Sequence, residues 1–389
     1  MPKFQSERLK ALPVYLFEDL ALKKRKKQAM GFHVVDLSIG DPDIGVPGCA
    51  IEELRQSLSI KGIHRYTSGD TIECFNHTVC EWMKQRYGVD LDPSSEIIPL
   101  IGTKEGLAHL AMALMDPGDV ALVPNPAYPV YSRSVILVGG RITEMPLLES
   151  NGYLPDLGMY HGANPTVAYL NYPNNPTSAL ASSEFFSEAI RFGSKTGCII
   201  VNDAAYSEIL FDGVSPQSIL AACGAKEIAV EFHSFSKTFG IPGWRVGFVA
   251  GCKDVIQSLA KLKSNIDSGV FGAILLAAAS ALKNGWQDFE SMMTEYGKRR
   301  QMLIDALESA GLEYFPHRGT LYIWVRVPAG LRSVDFASLL LERLGLLVAP
   351  GIGFGSYGEG YFRISITCPT QEIKVACDRI REASELWKI

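Results

Sequence analysis

The sequence predicts an α/β protein with a large domain built on a mostly parallel sheet and a smaller α+β domain. Two observations carry this prediction. Between about residues 95 and 250, short apolar runs alternate with longer stretches of helical spacing, which is typical of parallel strands joined by helices. After about residue 285 the order changes to long helices, three strand-like runs and a closing helix. At 389 residues, the chain is long enough for both domains.

Six apolar runs are the strand candidates of the large domain. Several are apolar without alternation, as expected for strands that are covered on both faces. Because sites in such folds form where strands end, polar residues just after a strand are the functional candidates. The six runs are EIIPLIG (96–102), DVALVPN (119–125), TVAYLNY (166–172), GCIIVND (197–203), IAVEFHS (228–234) and RVGFVAG (245–251).

The domain boundary is predicted from the change in element order. The C-terminal strand candidates are TLYIWVRV (320–327), LLVAPG (346–351) and YFRISIT (361–367). We predict a large domain over 47–284 and a small domain that combines 1–46 with 285–389. A substrate cleft is expected between the two.

Composition and charge exclude several classes of function. A net charge of −5 gives no general attraction to nucleic acid. The basic run 23–27 is interpreted as the solvated end of a helix, with a binding patch as the alternative. The eight cysteines show no CxxC spacing and no signal sequence opens the chain, so we expect a cytoplasmic protein without a metal site. The apolar window 270–282 is too short for a membrane span and predicts a buried helix.

The stretch HSFSKTFGIPGWRVGF surrounds Lys237 with the hydroxyls of Ser234 and Ser236 and with Arg245. Two hydroxyls and an arginine beside a helix start would bind a phosphate group. That helix start is predicted in LIGTKEGLAHL, at Thr103 and Lys104, although an ordinary helix start explains this stretch equally well. Lys237 is either a phosphate ligand or a lysine that forms a Schiff base, and the P-loop pattern GxxxxGK[ST] does not occur.

A Schiff-base lysine next to a phosphate site indicates pyridoxal phosphate, which also needs a carboxylate for its pyridine nitrogen. Asp203 at the end of a predicted buried strand supplies one, with a helix cap as the alternative role. Tyr206 and Asn175 are candidates to bind the phenolic oxygen of the ring, although Asn-Pro is also ordinary turn chemistry. Tyr128 is a candidate to stack on the ring.

The order of these motifs resembles the fold-type I pyridoxal-phosphate aminotransferases of class I/II. The resemblance runs through almost the whole chain. It implies the pyridoxal-phosphate-dependent transferase fold of type I, amino-acid and 2-oxo-acid substrates, and a homodimer with shared sites. The motifs are GTKEGL, PAYPVY, NYPNNPT, NDAAY, SFSKTFGIPGWRVG and FRIS.

The resemblance implies a role for each candidate residue. The catalytic residues would be Lys237, Asp203 and Tyr206. Asp203 would pair with the pyridinium nitrogen, Asn175 and Tyr206 would bind the ring oxygen, and Tyr128 would stack on the ring. The phosphate ligands would be Thr103, Lys104, Ser234, Ser236 and Arg245, joined by Tyr66 from the neighbouring subunit.

The resemblance also implies the substrate contacts. Arg363 resembles the arginine that binds the substrate α-carboxylate, whereas the residue pattern alone indicates a surface strand arginine. Gly40 and Tyr15 would also face the substrate, together with Lys104, Tyr128 and Asn175. One departure is Ser178, which replaces the usual glycine after Asn-Pro-Thr.

Within the family, the sequence is most similar to a subgroup that acts on a diamino dicarboxylic acid with 2-oxoglutarate and glutamate as the second pair. Alanine- or aspartate-specific aminotransferases are the alternatives. A fold-type I lyase would use the same cofactor contacts. A regulatory cofactor sensor is less favoured, since such proteins carry a DNA-binding domain and about 45 residues precede the predicted large domain.

Overall fold

The structure is a computed structural model that describes residues 4–13, 16–383 and 385. Within these ranges the chain forms twelve strands. In chain order they are β1 (Val35–Asp36), β2 (Ile97–Leu100), β3 (Val120–Asn125), β4 (Arg141–Pro146), β5 (Val167–Leu170), β6 (Ile199–Asp203), β7 (Ala229–Ser234), β8 (Gly247–Gly251), β9 (Tyr322–Arg326), β10 (Leu346–Leu347), β11 (Ala349–Pro350) and β12 (Tyr361–Ser365).

Fourteen α-helices lie in the same described ranges. They are α1 (Glu7–Lys10), α2 (Leu16–Ala29), α3 (Gly48–Ser57), α4 (Gly69–Tyr87), α5 (Thr103–Leu114), α6 (Val130–Val138), α7 (Ser183–Thr196), α8 (Ala225–Ile228), α9 (Phe235–Thr238), α10 (Lys253–Ile266), α11 (Gly272–Asn284), α12 (Trp286–Ser309), α13 (Ser333–Leu344) and α14 (Thr370–Glu382).

Seven strands form the main sheet, in the order β2-β8-β7-β6-β5-β3-β4. Only β8 is antiparallel to its neighbours, so the sheet is mostly parallel, and the predicted fold class is confirmed. All six predicted strands are present. The seventh, β4, was not predicted because it is an edge strand in which only Met145 is buried.

The C-terminal part forms two smaller sheets. The antiparallel sheet β11-β12-β9 contains the three predicted strand runs in part, and β10 pairs in parallel with β1 from the N-terminal segment. In the same region, the amide of Ser365 donates to the carbonyl of Leu37. These contacts support the proposed grouping of 1–46 with 285–389 in one small domain.

The basic run 23–27 lies on α2, but it is not solvated throughout. Lys27 is 7% exposed, and its Nζ lies 2.5 Å from Glu342 Oε2 on α13. Lys24 pairs with Asp36 at 3.1 Å. The prediction of a fully solvated helix end is therefore wrong for Lys27, because its ammonium joins α2 to α13.

The apolar window 270–282 lies largely in α11, and most of its side chains are buried, as predicted. No helix among the described residues is long and apolar enough to cross a membrane.

The direction of the strands positions the functional residues. Strands β2, β5, β6 and β7 all run the same way, so their carboxyl ends meet at one edge of the sheet. Gly102, Asn171, Asp203 and Ser234 lie at or just beyond these four ends. This edge is where a parallel α/β sheet binds its ligands.

Candidate active site

A cavity of about 420 Å³ opens at this edge of the sheet. Twelve of the fourteen predicted site residues line it. Tyr66 does not, since its side chain is 85% exposed at the surface, and Tyr15 lies outside the described residues. The twelve are Gly40, Thr103, Lys104, Tyr128, Asn175, Asp203, Tyr206, Ser234, Ser236, Lys237, Arg245 and Arg363.

One end of the cavity carries the donors for an anion. Helix α5 starts at Thr103 after Gly102, and the first amide N–H groups of a helix have no partner within it. Arg245 packs so closely that a Cβ on Gly102 would lie 2.3 Å from its Nη2 atom. A side chain at Gly102 would therefore displace the guanidinium.

The serines complete the anion end. Ser234, at the end of β7, accepts a hydrogen bond from the amide of Ser236 at 3.2 Å, which leaves its hydroxyl proton for a ligand. Both serines line the cavity beside Arg245. Amides, hydroxyls and a guanidinium are the donor set of a phosphate site.

Partly buried ion pairs hold the start of α5. Glu105 Oε2 accepts from the amide of Ile101 at 3.0 Å, and Glu105 Oε1 lies 2.8 Å from Lys263 Nζ. Lys263 Nζ also lies 2.8 Å from Asp267 Oδ2. The lysine ammonium thus lies between the two carboxylates and joins α10 to the anion end.

Lys237 extends from α9 into the cavity. Its Nζ atom donates a hydrogen bond to the backbone oxygen of Gly40 at 2.6 Å. The amine therefore lies next to the N-terminal segment that bears Gly40, the predicted substrate contact. This position suits an amine that must reach both a bound ring and a substrate.

Asp203 lies deep in the cavity at the end of β6 and is 4% exposed. Tyr131 Oη donates to its Oδ2 at 2.8 Å, and the amide of Ala205 donates to its Oδ1 at 3.2 Å. Burial raises the pKa of this carboxyl to about 6, although the donors from Tyr131 and Ala205 act to lower it. A buried carboxylate with this environment favours a cationic partner, as a pyridinium nitrogen would be.

Because its pKa is raised, ionised Asp203 lowers the free energy of unfolding of the ligand-free protein. Since its folded-state pKa of about 6 exceeds the ordinary 3.8, ionisation destabilises the fold, increasingly from pH 4 to pH 6 and constantly above. The penalty above pH 6 is roughly 3 kcal/mol. We expect Asp203→Asn to raise the free energy of unfolding of the ligand-free protein more at pH 8 than at pH 5, as measured by urea denaturation. Equal changes at both pH values would contradict a buried carboxylate of raised pKa.

Arg363 reaches the cavity from β12 and is 1% exposed, so the interpretation as a surface arginine is wrong. Its Nη1 donates to Asn175 Oδ1 at 2.7 Å and its Nη2 to the carbonyl of Ser38 at 2.6 Å. The ring centre of Tyr322 lies 3.8 Å from the guanidinium carbon, a cation–π contact. These contacts fix the plane of the guanidinium.

The sequence prediction missed three polar residues that line the cavity. Asn171 donates to the carbonyl of Asp203 at 2.6 Å and joins the ends of β5 and β6. Tyr131 lies three residues after the predicted Tyr128, in the same PAYPVY motif, so its position was a usable signal. Tyr322 comes from the C-terminal sheet, and no local pattern connects it to the rest of the site. The three are Tyr131, Asn171 and Tyr322.

Tyr322 contacts two of the predicted site residues, Tyr206 and Gly40. Its hydroxyl lies 2.9 Å from the hydroxyl of Tyr206, and a Cβ on Gly40 would overlap it. Burial, together with the adjacent Tyr322, raises the pKa of Tyr206. Tyr206 therefore stays protonated and can donate to an oxygen of a bound ring.

Taken together, the donors fit pyridoxal phosphate. The anion end could bind its phosphate, and the Lys237 amine could form a Schiff base with its aldehyde carbon. The Asp203 carboxylate could pair with its protonated ring nitrogen. Between them, Asn175, Tyr206 and Tyr128 surround the space that a flat ring would fill.

Comparison with known proteins identifies the family of this chain. The family model for aminotransferase class I and II matches residues 33–380. The chain is 45% identical over 381 residues to the LL-diaminopimelate aminotransferase of Desulforudis audaxviator, and the match covers 97% of both chains.

Solved structures share the fold over nearly their whole length. Substrate-bound BacF from Bacillus subtilis has a TM-score of 0.92 at 31% identity, covering 98% of both chains. A probable N-succinyldiaminopimelate aminotransferase from Thermus thermophilus has a TM-score of 0.89 at 35% identity, covering 95% of this chain and all of that one. The chain belongs to the aminotransferase class I and II family and is a pyridoxal-phosphate-dependent enzyme.

Proposed function

We propose that this chain is an LL-diaminopimelate aminotransferase that transfers an amino group from LL-diaminopimelate to 2-oxoglutarate in lysine biosynthesis. The observation that carries the proposal is that several relatives with this one name are 40–45% identical to the chain over almost its full length. Four stretches also resemble that subgroup. They are NGYLPDLG (151–158), DAAYSEILFDG (203–213), KSNIDSG (263–269) and YGEGYFRIS (357–365).

The cavity supports a set of phosphate contacts. Helix α5 would offer its N-terminal amides to the phosphate, and five side chains would hold it: Thr103, Lys104, Ser234, Ser236 and Arg245. Once bound, pyridoxal phosphate supplies an electron sink for the electrons released at the substrate α-carbon.

The ring contacts are a second proposal from the same cavity. Asp203 would keep the ring nitrogen protonated, because an ionised carboxylate in a buried site stabilises the charged form of its partner. Asn175 and Tyr206 would donate to the ring oxygen, and Tyr128 would stack on the ring.

Lys237 would hold the cofactor covalently at rest. Its Nζ, once free, would act as the general base that accepts the proton from the substrate α-carbon and as the general acid that gives it back. The position of Nζ inside the cavity, beside the proposed substrate contact Gly40, supports this role.

The substrate head is held at the small-domain side of the cavity. Arg363 binds the α-carboxylate through two parallel hydrogen bonds, and Gly40 contributes a backbone contact. Asn175 accepts a hydrogen bond from Arg363 Nη1 and so helps to orient the guanidinium. Tyr15 stays a proposed substrate contact, although it lies outside the described residues.

We further propose a cytoplasmic homodimer in which Tyr66 reaches the phosphate of the neighbouring site. The support is the position of Tyr66, an aromatic side chain that is 85% exposed in the isolated chain. Leu58 and Ile60 nearby are also exposed. Sedimentation equilibrium tests the proposal, and a protein that stays monomeric at micromolar concentration would contradict it.

A half-reaction screen tests the proposed function. Each candidate amino donor is mixed with the cofactor-loaded protein in the absence of a keto acid, and the change in cofactor absorbance is followed. We expect LL-diaminopimelate to convert the cofactor to its amine form in a single turnover, and 2-oxoglutarate to restore it. Continuous product formation without any keto acid would instead identify a lyase.

A further inference from the structure

Ser178 adopts a backbone conformation that its side chain disfavours. Its φ is 66°, in the left-handed region, where a residue other than glycine is strained. Its side chain is buried, so water cannot satisfy the hydroxyl. A strained residue is retained where its surroundings hold it in place.

Hydrogen bonds to one short segment hold it. The Ser178 hydroxyl donates to the backbone carbonyl of Tyr322 in a very short contact, and it lies 3.2 Å from Thr320 Oγ1. Thr320 is itself left-handed, with φ 64°, and its hydroxyl accepts from the amide of Tyr322 at 3.2 Å. Two strained hydroxyl residues therefore converge on the backbone of one tyrosine.

The two segments joined in this way are those that hold Arg363. Asn175, three residues before Ser178, accepts from Arg363 Nη1 at 2.7 Å. Tyr322 places its ring 3.8 Å from the guanidinium carbon. The Ser178 hydroxyl thus connects the turn that bears Asn175, which bonds the guanidinium, with the strand that bears Tyr322, whose ring contacts it.

We propose that Ser178 is a positioning residue, whose hydroxyl sets the orientation of Arg363 for a substrate carboxylate. The inference rests on the proposed role of Arg363 in the proposed function. Glycine at this position would relieve the backbone strain but would remove the link. The hydroxyl therefore acts on carboxylate binding and leaves the chemistry at Lys237 unaffected.

The test compares Ser178→Gly with Ser178→Ala. Both variants lack the hydroxyl, but only alanine retains a Cβ in the strained backbone conformation. Comparing the two variants therefore separates the effect of losing the hydroxyl from the effect of backbone strain. Calorimetry measures the Kd of 2-oxoglutarate for the cofactor-loaded enzyme, a complex that cannot react because the cofactor carries no amino group to transfer. Steady-state kinetics then gives KM and kcat for the amino donor.

We expect the Kd of 2-oxoglutarate and the KM of the donor to rise about 3- to 10-fold in both variants, the effect of one lost hydrogen bond. We expect kcat within about 2-fold of wild type and unchanged cofactor absorbance. Arg363→Lys is the reference for loss of carboxylate binding. Ser183→Ala is the matched control, since the Ser183 hydroxyl is exposed and bonds the neighbouring Glu184 at the surface.

Three results would overturn the inference. An unchanged Kd in both variants means that the hydroxyl does not position Arg363. A rise in Ser178→Ala alone assigns the effect to backbone strain. An unchanged Kd in Arg363→Lys removes the proposed carboxylate contact itself, which separates failure of the proposed function from failure of the role of Ser178.

Discussion

Lys237→Ala is expected to abolish both the covalent attachment of pyridoxal phosphate and turnover. The amine of Lys237 points into the cavity and is the candidate both to bond the cofactor and to carry the α-proton. Loss of a general acid–base group alone costs about 10²- to 10⁴-fold in rate, and loss of the attachment adds to it. We therefore expect at least about a 10³-fold fall in kcat.

Borohydride reduction followed by mass spectrometry measures the attachment. The wild-type protein should gain the mass of one cofactor on the peptide that contains Lys237, and the variant should not. Lys261→Ala serves as the control, because Lys261 lies exposed on α10. Full transamination by Lys237→Ala would remove this lysine from its role.

Asp203→Ala is expected to lower kcat by about 10²- to 10³-fold, the loss seen when one preorganised charge-stabilising group is removed. The carboxylate is buried, its pKa is raised to about 6 by that burial, and its two donors hold it in one orientation. Without it, the protonated ring nitrogen would lose its proposed charged partner. Steady-state kinetics with saturating cofactor measures the effect.

Asp203→Glu provides the comparison for this prediction, since it retains the charge on a longer side chain. We expect it to be more active than Asp203→Ala, because the carboxylate still reaches the ring nitrogen. A rate for Asp203→Ala within a few-fold of wild type would mean that another group pairs with that nitrogen.

Local signals in the sequence predicted the strand-end part of the site. Asp203 and Ser234 each end an apolar run, and parallel strands bring such ends together without any long-range information. The reversed direction of β8 and the edge strand β4 were not predictable in this way. Strand direction depends on which neighbours pair, and β4 carries too few buried residues to show a pattern.

Site residues that come from the C-terminal sheet were predictable only by resemblance, as Arg363 was, or not at all, as Tyr322 was. Arg363 has the pattern of a surface residue, yet the structure buries it between Asn175 and Tyr322. Tyr322 lies in an apolar strand, and no local sequence pattern indicates that its side chain lines the cavity. The sequence showed that Ser178 replaces the usual glycine after Asn-Pro-Thr. It did not show which residues the hydroxyl would contact, because one of them, Thr320, lies 142 residues further along the chain.

The most direct test of the account compares kcat/KM for LL-diaminopimelate, meso-diaminopimelate, alanine and aspartate as amino donors, with 2-oxoglutarate as acceptor. We expect LL-diaminopimelate to be the best donor, with glutamate and a keto acid that cyclises to tetrahydrodipicolinate as products. Because hydrogen bonds to a second amino-acid head leave buried polar groups unpaired when the configuration is wrong, the meso isomer should be poorer by about 10²-fold or more. The highest kcat/KM for alanine or aspartate, with LL-diaminopimelate inert, would contradict the proposed donor.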